Sequence, residues 1–117
     1  MRRQRAQRRG VRAESLCCLW LRLKGYRIVA RQFRTPVGEI DIAARRGGIL
    51  AIVEVKARAE HGVAAASITR RQQRRIMRAT EVLLRRRPEL VTLQPRFDAM
   101  LVIPFRPPHH IIDAWRS

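Results

Sequence analysis

Apolar residues in this chain recur with two periods, and the switches between them mark out its elements. Leu16, Leu19, Trp20 and Leu23 fall at helical spacing with Gly25 as a C-terminal stop, which predicts a first helix burying these four side chains. Residues 26–33 read as a strand, turned by Thr35-Pro36 into a second. There Gly38-Glu39-Ile40-Asp41-Ile42-Ala43-Ala44 alternates polar and apolar, the period of a half-buried strand. Gly47-Gly48 tolerates positive φ and suits a two-residue hairpin turn. Residues 49–57 form a third strand, apolar on both faces until Glu54, as expected of a central strand whose end emerges at a site.

Residues 58–66, with Gly62 and small side chains, are read as a loop shaping the rim of that site, with His61 an exposed loop residue rather than a ligand. Thr69 and Gln72 make a capping box for a second helix with Ile76, Ala79 and Leu83 as its buried stripe. Arg85-Arg86-Arg87-Pro88 closes it, because proline restricts the residue before it and cannot continue the turn. Residues 96–103 read as a strand parallel to the third through a right-handed crossover, and residues 110–115 as a short closing strand. The fold class expected is α/β, a mixed sheet with αβββαβ order.

Composition bounds the partners. The chain has 117 residues, enough for one domain with a modest core, and carries a formal net charge of +17. A pI near 11.9 is the footprint of a polyanion partner, of which nucleic acid is the first choice. Residues 1–10, with Arg2, Arg3, Arg5, Arg8 and Arg9, are expected to be a flexible basic arm, and residues 11–117 a single domain. The longest apolar run, residues 49–53, is far short of the roughly 20 residues a membrane span needs, so no membrane partner is expected. Nothing resembles a secretory signal. Cys17 and Cys18 are adjacent on a helix, where their side chains diverge and do not pair, which fits a reducing, cytoplasmic setting. Aromatics make up only 5% of the chain, which favours duplex or shape recognition over a single-strand stacking platform.

The candidate chemistry lies on the hairpin. If Gly47-Gly48 is the turn, Asp41 lies opposite Glu54 and Glu39 opposite Lys56, with Cβ atoms roughly 4.5 to 5.5 Å apart on one sheet face. Facing carboxylates repel unless a cation sits between them or one is protonated. Mg2+ takes hard oxygen ligands, one or two carboxylates with water and phosphate oxygens, which suits this pair. Lys56 could orient the attacking water or stabilise developing negative charge. Among 26 basic residues only Lys24 and Lys56 are lysine, so a lysine beside the acids is itself informative. The plain alternative is a solvated strand face carrying ordinary cross-strand ion pairs.

These residues resemble the PD-(D/E)XK nuclease signature, with Asp41 followed by Glu54-Val55-Lys56 and Gly38-Glu39-Ile40-Asp41 in place of its Pro-Asp. More narrowly, residues 13–115 are similar to the YraN-type family of small proteins related to Holliday-junction resolvases. The likeness runs through Ala13-Glu14, Lys24-Gly25-Tyr26, Val53-Glu54-Val55-Lys56, Ala64-Ala65-Ala66-Ser67-Ile68-Thr69, Arg96-Phe97-Asp98 and Asp113-Ala114-Trp115. The resemblance implies a restriction-endonuclease-like αβββαβ core in which Asp41 and Glu54 hold Mg2+ or Mn2+, Val55 adds its carbonyl and Lys56 is catalytic. Glu14 on the first helix would be an auxiliary acid, and Glu39 completes the candidate catalytic set. Resolvase relatives suggest a homodimer. One departure is Gln72-Gln73 where the family commonly has Lys-Gln, so any charge supplied there is missing or comes from Arg71 or Arg74.

Arg71, Arg74, Arg75 and Arg78, with Gln73, occupy much of the second helix's polar surface and are the expected phosphate-binding patch. The function expected is metal-dependent, nuclease-like binding of duplex or branched DNA with phosphodiester hydrolysis. The alternative keeps the fold without the chemistry, as a catalytically silent DNA-binding module that needs no metal. A third reading, resting on charge alone, is an RNA-associated basic protein.

Overall fold

The computed structural model describes the backbone of residues 2–56 and 68–117, with side chains from residue 12 onward in those spans. Helix α1 (Arg2–Leu23) leads into strands β1 (Arg27–Thr35), β2 (Gly38–Arg46) and β3 (Ile49–Lys56). Helix α2 (Arg70–Arg86), a 3-10 turn (Pro88–Leu90), β4 (Gln94–Leu101) and β5 (His109–Trp115) follow. The five strands form one sheet in the order β1-β2-β3-β4-β5. β3 and β4 are parallel and the other neighbours antiparallel, which gives the expected mixed sheet and αβββαβ order, with β5 added at the edge.

The sheet is covered on both faces, and β3 shows why its sequence is apolar throughout. Leu50 and Ile52 pack with Ile76, Ala79 and Leu83 of α2, whereas Ala51 and Val53 pack with Cys17, Cys18 and Leu21 of α1. Successive side chains of a strand point to opposite faces, so each helix takes alternate residues.

Helix α1 corrects one expectation. Its buried residues are Ala13, Glu14, Cys17, Cys18 and Leu21, while Leu19 is 52% and Leu23 72% exposed, and Leu16 is also exposed. Two overlapping stripes share the helical period, and the one that faces the sheet carries the small side chains that allow close approach. Trp20 is partly buried against the α1 cluster, as expected of a core residue. The helix ends where Gly25 adopts a φ of 91°. Tyr26 N–H donates to Leu21 C=O at 2.9 Å and Gly25 N–H to Arg22 C=O at 3.0 Å, the paired bonds of a Schellman motif. The helix also runs back through residues 2–10, the stretch read from sequence as an arm. How the side chains of that stretch pack lies outside the described residues, as does the rim loop of residues 58–66 with His61.

Helix α2 follows the sequence closely. Thr69 and Gln72 form the capping box, and Ile76, Ala79, Thr80 and Leu83 are buried. The helix crosses β2 at Gly38, where a β-carbon would overlap the Arg75 carbonyl.

A carboxylate pair at the fork between two strands

The β2–β3 hairpin has the register that its glycines predict, from Arg46↔Ile49 to Ile42↔Val53. Gly47 takes the positive φ, 57°. The ladder then stops, so the expected direct pairings of Asp41 with Glu54 and Glu39 with Lys56 do not form. The cause is a break in the alternation of β2. Ile40 packs in the α2 cluster and Ile42 in the α1 cluster, although residues two apart on a regular strand share a face. Across from this point β1 is irregular as well, with Gln32 at a φ of 47° between the pairs Arg31↔Ile42 and Phe33↔Ile40.

Asp41 sits at the break. Its Oδ2 accepts from the Val55 N–H at 2.8 Å, a backbone donor of β3 lying beyond the last paired residues. The carboxylate thus spans the fork where the two strands part. Glu54 is next to Val55, so the fork brings the two acids together by another route than cross-strand opposition. The two acids feel one another, the charge of Asp41 acting to raise Glu54.

The electrostatics follow from placement. Glu54 is pushed up to about 8, by burial first and then by the charge of Asp41, with Lys56 acting in the opposite direction. Asp41 is raised too, chiefly by burial, against the pull of the Val55 N–H. Lys56 Nζ lies 3.8 Å from Glu54 Oε1, and both side chains are mostly buried. Glu14 reaches the same region from α1. It is buried, 3.3 Å from Arg31 Nε, and its charge adds to the upward shift of Asp41. Cys17, one turn further along α1, is pushed up to about 12 by burial and by the neighbouring Cys18, Asp41 and Glu14. Glu39 is exposed and lies 3.9 Å from Arg34 Nε on β1, at the margin of the group.

The arrangement suits a divalent cation. Two carboxyls held together in a half-buried fork form a hard-oxygen pair whose repulsion a cation relieves. Among the described residues no set of three or more His, Cys, Asp or Glu side chains converges as a ligand cluster, so a bound ion would keep positions for water or phosphate oxygens. The contact of Val55 with the pair runs through its N–H.

Arg71, Arg74, Arg75 and Arg78 are all exposed on the polar side of α2, and Arg74, with Arg70, Gln73 and Met77, also faces the end of β5. Gln73 is partly tied down, donating from Nε2 to the Ile68 carbonyl at 3.0 Å.

A second polar cluster went unread as a unit in the sequence. Asp98 is fully buried and accepts from Arg96 Nε at 2.9 Å, Arg96 NH2 at 2.8 Å, His110 Nε2 at 2.8 Å and the Asp113 N–H at 2.9 Å. Arg96 also donates to the Tyr26 hydroxyl at 2.6 Å, and Lys24 contacts His110 Nδ1. Burial would raise Asp98, but the bonds from His110, Arg96 and Asp113 overcome it and hold the carboxyl below the usual range. Asp113 has a φ of 56° at the irregularity where β5 departs from β4, and Asp98 accepts the N–H freed there. The cluster ties the end of α1 to β4 and β5. An acid in the middle of a strand, two residues from Arg96, was the available signal.

Comparison with known proteins places the chain. A model of the family described as Uncharacterised protein family UPF0102 matches residues 13–102. This is the family whose motifs the sequence resembles. A UPF0102 protein of Parvibaculum lavamentivorans is 56% identical over 111 residues, 95% of this chain and 84% of the relative. One from Paramagnetospirillum magneticum is 52% identical over 117 residues, 97% of this chain and 91% of the relative. Another, from Nitrobacter winogradskyi, is 52% identical over 106 residues, covering 91% and 90%. Among the described residues no helix is long and apolar enough to cross a membrane.

Proposed function

The chain belongs to the UPF0102 family, and from that premise we propose that it is a metal-dependent, nuclease-like protein that binds duplex or branched DNA and hydrolyses phosphodiester bonds. The observation that carries this reading is the convergence of Asp41 and Glu54 at the strand fork, beside Lys56. Stability alone gives no reason to press two acids together in a half-buried place.

In this reading Asp41 and Glu54 hold Mg2+ or Mn2+. Such an ion, when bound, offsets the charge of the pair and of a phosphate and lowers the pKa of water. The chain's own residues do the rest. The Val55 N–H fixes the Asp41 carboxylate, leaving its second oxygen for the ion. Lys56 remains beside Glu54 and stabilises negative charge that grows on the phosphate as the water attacks. Glu14, neutralised in part by Arg31, holds the field around Asp41 negative from beneath. Arg71, Arg75 and Arg78 engage backbone phosphates on the exposed side of α2.

The test is cleavage of end-labelled duplex, flap, single-stranded and four-way-junction DNA with Mg2+ or Mn2+. Wild type is expected to cleave at least one of them, and Asp41→Ala to lose about 100-fold or more while remaining folded. Equal cleavage by both proteins would show a contaminating nuclease and overturn the reading. Binding without cleavage, independent of metal, would favour the silent DNA-binding module.

A further inference from the structure

Part of the exposed polar face of α2 borders the end of β5. Arg70, Gln73, Arg74 and Met77 form one wall of an open cleft of about 410 Å³, and Trp115 and Arg116 at the end of β5 form the other. Trp115 lies nearly flat on Phe97, with ring centroids 4.1 Å apart and planes 19° from parallel. The indole is therefore held in one orientation by a stacked partner, yet it stays half-buried rather than enclosed. On the far side of the same ridge a second cleft of about 450 Å³, walled by Arg96, Phe97 and Asp113, also shares Trp115 and Arg116. Arg116 is 80% exposed at its side chain and anchored to Asp113 at 2.8 Å. Both tryptophans pack by one side against a core cluster, Trp115 on the α2 side and Trp20 on the α1 side, and it is Trp115 that also lines the clefts.

A ligand complementary to this cleft offers negative charge to several guanidiniums and a flat π-face or edge to a fixed indole. A nucleotide has both. We propose that the cleft between α2 and the end of β5 seats one nucleotide of an unpaired strand, its base against Trp115 and its phosphate between Arg70, Arg74 and Arg116. A base within a continuous duplex is stacked on both faces and cannot enter, so the site distinguishes flaps, overhangs and junction openings from intact duplex. The low aromatic content argues against a multi-base stacking tract, and one fixed indole is consistent with a single nucleotide. The assignment rests on the nucleic-acid part of the proposed function and not on its metal part.

The test uses full-length Trp20→Phe protein, in which Trp115 is the only indole, at fixed salt in EDTA so that cleavage plays no part. Indole fluorescence is followed during titration with blunt duplex, the same duplex carrying a single-stranded overhang, a single-stranded oligonucleotide and a mononucleotide, with anisotropy reporting total binding. Quenching by the overhang and single strand, but not by blunt duplex, is expected. Trp115→Leu is expected to weaken overhang binding about 5- to 100-fold relative to blunt duplex. Arg74→Gln, a change on an exposed side chain, is expected to reduce the same preference while leaving the fold intact. Overhang binding that leaves Trp115 fluorescence and the Arg74→Gln preference unchanged would overturn the assignment. Quenching by the mononucleotide as tight as by the strand would overturn the strand and indicate a free-nucleotide site.

Discussion

Glu54 carries the sharpest residue-scale consequence. Its carboxyl rises from an ordinary 4.5 to about 8 on folding, so between these values the folded chain keeps a proton that the unfolded chain releases. Its contribution to stability is therefore present at low pH and lost as pH rises through that window, levelling off above it. Asp41 is shifted in the same direction and adds to the trend. Urea denaturation between about pH 5 and pH 9 without divalent ions is expected to show this decline, and Glu54→Gln to flatten much of it. An equally steep decline in Glu54→Gln would show that the fork acids are not the source. Asp41, Glu54 and Lys56 were legible as a group from parity and spacing. The route that joins Asp41 to Glu54 was not, because it depends on a break in β2 and a positive φ at Gln32, which no residue type announces. Asp98 was visible only as a motif, since four donors from β4 and β5 become its partners only after folding.

Elements set which faces those residues share. α2 could be read almost residue by residue, because its capping box and single buried stripe are local signals. α1 could not, since leucines and small residues compete for one helical period and only the sheet decides between them. The crossing of α2 over β2 depends on a missing side chain at Gly38, against the Arg75 carbonyl. Gly38→Ala is expected to push α2 away and cost about 1–3 kcal/mol in urea unfolding. A stability change within about 0.5 kcal/mol would show that the helix has slack to move. Because Asp41 lies three residues along β2, the same substitution is expected to disturb the fork.

At the scale of the whole molecule, the fold places an acidic fork within a chain of net charge +17. The fork gathers Asp41 and Glu54 within that strongly positive chain. Composition could not show that Arg70 and Arg74 border the end of β5, which follows only from where that strand ends. If Arg71, Arg75 and Arg78 each neutralise a phosphate, changing all three to glutamine should reduce the slope of log affinity against log salt by about 2 to 3. An unchanged slope would remove these arginines from the interface. Titration of Mn2+ by electron paramagnetic resonance reads the fork itself. Wild type is expected to bind Mn2+ at a site lost in both Asp41→Asn and Glu54→Gln, whereas identical binding by all three proteins would contradict the account.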